Sequence, residues 1–189
     1  MKPRLLTALA AGALLAGCGG PTPSTITDRD NSLALAEAAR ISRLPQTRIS
    51  DLPTGIATYN GKVGADLRGD LQGSLLGDMR MVVGFNTNSV GGTISNLNLI
   101  APSGRPDQAL GGTLAINGFE DRGSMMANAG GRITGVQPGG SPFASDLNLS
   151  MQGNVRDDRF RGDTVFGAVT GQGVGDVNIG LDGVFYGKR

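Results

Sequence analysis

Apolar and polar residues alternate with a period of two along most of the chain, beginning near Thr54. In the run Met79–Phe85, every second residue is apolar and falls on one face, so Phe85 is predicted to be buried with Met81 and Val83. The same alternation recurs at Leu114 and Ile116, at Leu147, Leu149 and Met151, and at Val177, Ile179, Leu181, Gly183 and Phe185. Such runs, separated by glycine and asparagine clusters, predict about eight antiparallel strands.

Glycine is abundant, with 32 residues in the chain, and it also occurs inside the predicted strands. Gly84, Gly118, Gly153 and Gly183 stand mid-run, where glycine weakens a strand unless the strand must bend. Bent strands favour a closed barrel over a flat sandwich. The prediction is therefore an all-β fold, a roughly eight-stranded antiparallel up-and-down β-barrel.

A different pattern occupies Ser32–Leu44, where alanine and leucine favour a helix. One side of this helix carries Leu33, Glu37, Arg40, Ile41 and Leu44. Asn31 or Ser32 can cap its start, and Pro45 ends it. The apolar stripe is weak, which favours a helix that lies across or plugs the end of the barrel. The alternative is a helix that binds a membrane surface or a partner.

The one cysteine, Cys18, follows a basic start and the apolar segment Leu5–Ala16. This segment is too short for a membrane span, which needs about 20 apolar residues, and is typical of a signal peptide. The segment Leu15-Ala16-Gly17-Cys18 resembles the lipobox of bacterial lipoproteins. That resemblance implies cleavage before Cys18, lipidation of its thiol and acylation of the new amine. An ordinary secretory signal that contains a cysteine is the alternative.

The anchor implies a membrane-bound protein. In such lipoproteins an aspartate after the cysteine commonly retains the protein at the inner membrane, whereas here Gly19 follows. The expected location is therefore the outer membrane, lipid-anchored, with the cell surface and the periplasm as the two alternatives for the side that the protein faces. Three segments are predicted: a lipoprotein signal peptide over 1–17, a lipidated tether with a short helix over 18–53, and the barrel over 54–189. The Pro- and Ser-rich stretch Gly19–Ser32 is predicted to be a flexible or extended linker.

Composition removes several classes of function. The formal net charge is +1, so the chain has no basic excess to attract nucleic acid. The chain has no histidine, which excludes Ser-His-Asp catalysis and histidine-ligated metals. Asp157 and Asp158, flanked by arginines, are interpreted as a solvated charged turn rather than a catalytic pair. The prediction is a protein that is not an enzyme and needs no cofactor.

Five stretches together resemble the β-barrel domain of transferrin-binding protein B and its relatives. They are TGIATYNGKVGADL, VGGTISNLNLI, GGTLAINGFED, GDTVFGAVTG and GLDGVFYG, within residues 54–187. Gly183, Phe185 and Gly187 match the G-x-F-x-G of that family's last strand. The resemblance implies an eight-stranded barrel on a surface lipoprotein that binds a protein or an iron- or haem-related ligand. Handle domains and the transferrin-binding loops have no counterpart here.

These observations predict a non-catalytic binding module whose partner is a protein or a haem- or iron-loaded protein. The alternative is a structural or accessory lipoprotein that faces the periplasm and has no soluble ligand. A lipocalin-like barrel around a small molecule and a membrane-spanning barrel are weaker alternatives. The aromatic content of 4% is low for the aromatic girdles of a spanning barrel.

Binding residues are predicted in the two longest Pro- and Gly-rich connections, Ala101–Leu110 and Val136–Phe143, because loops on a rigid scaffold commonly carry function. Their candidate side chains are those of Arg105, Asp107, Gln137 and Ser141.

Lipidation of Cys18 can be tested by substitution. Cys18→Ser removes the thiol that would carry the lipid, so the variant should leave the membrane fraction, and mass spectrometry of the wild-type N-terminus should find an acylated cysteine. Several acyl chains, at roughly 0.8 kcal/mol per buried CH₂, hold a protein far more firmly than one does. An unmodified mature chain cut at a different site would contradict the prediction.

Overall fold

The computed structural model describes residues 20–189. The predicted signal peptide and Cys18 lie outside the described residues. One helix, α1 (Asp28–Ser42), a short 3-10 turn (Ile49–Asp51) and nine strands follow one another. The strands are β1 (Ile56–Gly69), β2 (Gly73–Gly84), β3 (Ser89–Ile100), β4 (Pro106–Leu110), β5 (Leu114–Asp121), β6 (Ser124–Val136), β7 (Pro142–Arg156), β8 (Thr164–Gly175) and β9 (Ile179–Lys188).

The strands form a closed antiparallel barrel. Apart from β4 and β5, strands that follow one another in sequence pair with each other, and β9 pairs with β1 to complete the circle. β4 and β5 both pair with β3, along its C-terminal and N-terminal parts respectively, so together they act as one interrupted strand. The result is the predicted eight-stranded up-and-down barrel.

The loops gather at two ends of the barrel. The proximal end comprises the connections at residues 70–72, 101–105, 137–141 and 176–178. The distal end comprises the connections at residues 85–88, 122–123 and 157–163. These two names are used below.

Side chains fill the barrel interior, as the alternation predicts. The predicted inward positions from Met79 to Val83, Leu114 to Ile116, Leu147 to Met151 and Val177 to Phe185 belong to one buried cluster, apart from Gly183. Phe85 differs, because it lies in the turn after β2 and is only half-buried against this cluster. An interior occupied by the protein's own side chains argues against the lipocalin-like alternative.

The outer face is mostly polar. Alternate residues such as Arg80, Asn128, Asp146 and Gln172 are exposed between the buried ones. A membrane-spanning barrel has the opposite arrangement, with an apolar outer band, and charges on that band are costly. The distribution therefore argues against the spanning alternative. Within the described residues, no helix has the length and apolar character needed to cross a membrane.

Glycines inside the barrel make room for the ring of Phe185. Phe185 is fully buried. A Cβ at Gly167 would lie 2.5 Å from its ring, and one at Gly153 would lie 2.7 Å from it. Real Cβ contacts are not that short, so a narrow barrel can hold this ring only where the facing strands have no side chain. Gly153 thus has a packing role beside the predicted bending role.

The helix begins earlier than predicted. It runs from Asp28 to Ser42 and is capped by Thr27, not by Asn31 or Ser32. The Thr27 hydroxyl accepts from the Asp30 N–H, and the Asp30 carboxylate accepts from the Thr27 N–H. This reciprocal pair is a capping box, with Asp in the place usually held by Glu or Gln. The sequence interpretation overlooked it because the first turn is polar throughout.

The helix lies along the outer wall, not across an end of the barrel. Its contacts are with β8 and β9, and Ala34 packs in a small cluster with Leu76 and Ile100 on the wall. The segment after the helix covers the distal end instead: Pro45 C=O accepts from Asp157 N–H at 2.9 Å, and Thr47 N–H donates to Val155 C=O at 3.0 Å. The prediction of a helical plug is therefore wrong.

The predicted flexible linker is also partly ordered. Pro23 forms a bridge with Gln108 in β4, and the Thr22 carbonyl accepts from Ala109 N–H at 2.9 Å. The Thr25 N–H donates to the Asn98 carboxamide oxygen at 2.9 Å. Residues 22–27 therefore follow the barrel surface from β4 to the start of α1. The available edge of the short strand β4 supplies the backbone partners that a free linker would lack.

Two phenylalanine substitutions test the packing. Phe185→Ala should lower the free energy of unfolding by about 3–5 kcal/mol, because it empties a fully enclosed site. Phe85→Ala should cost clearly less, because that ring is only half-buried. Chemical denaturation of both variants against wild type measures the difference, and equal losses would contradict this description of the core.

Candidate functional site

The two predicted loops lie together at the proximal end, but the first is shorter than expected. Residues 106–110 of the predicted connection Ala101–Leu110 form β4, so Asp107 lies on a strand. Arg105 is exposed, and its carbonyl accepts from Ala101 N–H. In the second loop Gln137 N–H donates to Ser141 C=O at 2.8 Å, which closes the turn.

Only two of the four predicted side chains meet in one cleft. Asp107 and Gln137 line a small depression of about 320 Å³ together with Pro21 of the tether. Arg105 and Ser141 are outside it. The cleft has room for a small chemical group, but neither Asp107 nor Gln137 is buried in it.

A larger cavity lies between α1 and the barrel wall, with a volume of about 810 Å³. We call it the α1 groove. It is bordered by α1 on one side and by β1, β2 and β9 on its floor. Its principal apolar residues are Ala34, Leu35, Ala38, Leu76, Ile100, Val184 and Tyr186.

The groove exists because small residues face each other across it. Ala34 and Ala38 point from the helix, and Gly64 lies on the floor. A Cβ at Gly64 would meet no atom closer than the Leu76 side chain at 3.7 Å, so the space there is open. Folding leaves apolar surface exposed at this site, with Leu35 at 65% and Val184 at 36% of their full accessibility.

Contacts at both ends of the helix keep the groove in shape. At the first end, the Asn31 amide donates to Gly104 C=O, and Ile26 packs with Ala34. At the other end, Arg40 bonds Asp158 at 2.6 Å and Glu37 at 3.0 Å. The predicted solvated turn is thus wrong for Asp158, which is buried and holds the helix to the β7–β8 loop.

Glu37 connects the helix to the last strand. Its carboxylate accepts from Arg40 and lies 3.3 Å from the Lys188 ammonium. The Arg40 hydrogen bond is the main reason that the pKa of Glu37 falls to about 2, with Lys188 adding to the effect against the opposing effect of burial. The negative charge on Glu37 therefore stabilises the position of α1.

Polar side chains on the groove floor bond one another. Lys62 forms an ion pair with Asp78, which also accepts from the Asn96 amide at 2.9 Å. The Ser74 hydroxyl donates to Asp66 at 2.9 Å. Both carboxylates, those of Asp78 and Asp66, thus accept hydrogen bonds from neighbouring side chains. These bonds fix the side chains in place and do not position either carboxylate for proton transfer.

Tyr186 is the groove residue to consider as an axial ligand of haem iron. A tyrosine binds haem iron as a phenolate. Burial and, to a smaller extent, the negative charges of Glu37 and Asp78 raise the pKa of Tyr186 to about 12, so its phenol loses a proton less readily than usual. Among residues 20–189, no three acidic, cysteine or histidine side chains are placed to hold a metal ion.

One exposed residue was missed by the sequence interpretation. Phe160, at the tip of the distal β7–β8 loop, is 96% exposed although it is aromatic. Its signal was present as a lone apolar residue between Arg159 and Arg161. Asp158 anchors the base of this loop, accepting from Gly162 N–H and Arg161 N–H through its carbonyl.

No family model, curated protein or solved structure matches this chain. The resemblance to the transferrin-binding protein B family, drawn from short motifs, therefore stays a prediction.

The Glu37 network predicts a pH effect. Because the folded-state pKa of Glu37 lies below its ordinary value of 4.5, its contribution is complete above about pH 4.5 and is lost as the pH falls toward 2. Wild type should therefore be more stable than Glu37→Gln at pH 7, and the difference should shrink between pH 4.5 and 2. Thermal unfolding across this range measures it; a difference that does not change with pH would contradict the role given to this charge.

Proposed function

We propose that this protein is an outer-membrane lipoprotein, anchored through Cys18 and facing the cell surface, whose barrel is a non-catalytic binding module. The α1 groove is the observation that carries the proposal. Its occupant is an apolar segment of a protein partner. The binding site is thus placed on the barrel wall rather than in the two predicted loops.

The dimensions of the groove support binding. Ligand sites are concave, mostly apolar cavities of about 300–1,000 Å³ with a few polar groups, and the groove volume of about 810 Å³ lies within that range. Covering the exposed surface of Leu35 and Val184 would gain about 25 cal/mol for each Å² of apolar area removed from water. No side chain of the barrel covers this apolar surface, because the residues that face each other across the groove are small.

Rigidity also supports a binding role. The helix is held at both ends by side-chain contacts, and the floor belongs to a closed sheet. A preformed site loses little conformational entropy when a partner enters, which favours affinity. The pairing of the groove's charged groups with one another gives no free base or nucleophile for catalysis.

The expected family offers a parallel only at the level of the fold. The resemblance implied an eight-stranded barrel on a surface lipoprotein, and the chain has a barrel of that strand number. A protein partner is preferred to a haem-related ligand because the groove lining has no histidine, cysteine or methionine to bind haem iron, and the phenol of Tyr186 ionises less readily than usual.

A bulky residue in the groove tests this proposal. Ala38→Trp should fill the cavity and weaken partner capture at least tenfold, because an indole occupies the space of the ligand. Ala39→Trp is the matched control, since Ala39 is exposed and does not line the groove. Tagged residues 20–189 of each variant serve as bait for cross-linking to envelope proteins, followed by affinity measurement with the purified partner.

Both variants should keep the wild-type thermal midpoint. Equal partner affinity of Ala38→Trp and Ala39→Trp would show that the partner does not bind in the α1 groove. If wild-type bait captures no partner, a structural or accessory lipoprotein becomes the better interpretation.

A further inference from the structure

The tether determines which part of the barrel can approach the membrane. We propose that the corner formed by Pro21, Asp107 and residues 137–140 lies on the bilayer surface; we call it the proximal corner. This inference rests on the proposed anchor at Cys18 and concerns the orientation of the barrel, which the anchor alone does not define.

The chain is fixed to the barrel immediately after Pro21. Thr22 C=O accepts from Ala109 N–H at 2.9 Å, and Pro23 bridges to Gln108 in β4. Thr25 adds a hydroxyl hydrogen bond to the Asn96 side chain at 2.6 Å. These contacts hold Pro21 beside Gln137 and Pro138.

The free length of chain between lipid and barrel is short. Three peptide steps separate Cys18 from Pro21. A fully extended chain spans at most about 3.6 Å per residue, so Pro21 stays within roughly 11 Å of the lipidated residue. The proximal corner must therefore remain close to the headgroups, whereas a long linker would let the barrel turn freely.

The chemistry of the corner suits this position. The loop over residues 137–142, Gln-Pro-Gly-Gly-Ser-Pro, carries no charge. It can approach headgroups without the cost of desolvating an ionised side chain. Asp107 at the start of β4 and the nearby Arg105 on the β3–β4 connection have opposite charges, so this region has no strong net repulsion from an anionic surface.

The distal end then faces away from the bilayer. β6 has 13 residues and runs from the distal to the proximal end. At about 3.3 Å per residue, and with the usual barrel tilt, the two ends are separated by roughly 30 Å along the axis. The exposed Phe160 therefore points into the aqueous space.

Two matched cysteine variants test the orientation. Ser141→Cys lies beside the proximal corner, and Ser124→Cys lies at the opposite end of β6; both positions are exposed. Lipidation consumes the native thiol, so each full-length lipoprotein carries one reactive cysteine, to which the fluorophore NBD is attached. The proteins are incorporated into phosphatidylethanolamine–phosphatidylglycerol vesicles that contain a lipid with a nitroxide on its headgroup.

Quenching by the nitroxide should be severalfold stronger for Ser141→Cys than for Ser124→Cys, because the quencher acts only at short range. Equal quenching, or stronger quenching at position 124, in protein that floats with the vesicles would overturn the orientation while leaving the anchor intact. Protein that neither floats nor shows an acylated Cys18 by mass spectrometry would overturn the anchor, and this inference with it. Wild-type thermal midpoints for both variants confirm that the fold is preserved.

Discussion

The pairing of β9 with β1 is the constraint on which the rest of the structure depends. It joins residues Ile179–Lys188 to Asn60–Gly69 in one unbroken antiparallel register. Without it, β1 and β9 would be open edges, which promote association between chains. A slip by one residue would turn Phe185 from the interior to the surface. The space left by Gly153 and Gly167 holds the Phe185 ring, so the packing of this ring favours the observed β1–β9 register over a shifted one.

The same seam positions the surface features. Lys188, at the end of β9, contacts Glu37 and so ties α1 to the closed barrel. Val184 and Tyr186 alternate outward on β9 while Phe185 points inward, so they form part of the groove floor. The position of the helix and the shape of the groove thus follow from closure, although neither contributes to the interior.

The barrel could be predicted because the alternation of buried and exposed residues is visible within each short strand. One face of each strand is buried, so the period of two appears directly in runs such as Leu147–Met151. The capping box at Thr27 and Asp30 was not recognised, because polar residues at that position also suit a linker. The docking of Thr22 and Pro23 on β4 was beyond sequence reasoning, since it depends on an edge created by the interruption between β4 and β5. The burial of Asp158 was also not predicted, because its ion-pair partner, Arg40, is far away in the sequence.

The candidate site was less predictable than the fold because a groove is defined by missing volume. Ala38 and Gly64 look ordinary in the sequence, and their role appears only when folding brings them to the same groove. Arg105 and Ser141 were predicted to bind a ligand because they lie in long loops. The length of a loop does not indicate where a cavity forms. Phe160 was visible as a lone aromatic residue, yet its exposure depends on how the distal loop projects.

The docked tether also has a mechanical consequence. Tension on the N-terminus acts first on the few hydrogen bonds that hold residues 22–25 to β3 and β4. Because these bonds are few and the β1–β9 pairing extends over ten residue pairs, they would break first under load and the barrel would remain folded. Release of residues 22–27 would lengthen the free connection by about 21 Å at roughly 3.5 Å per residue. With the proposed lipid anchor in place, residues 22–27 would therefore act as an extensible strap that keeps movements of the membrane from loading the barrel.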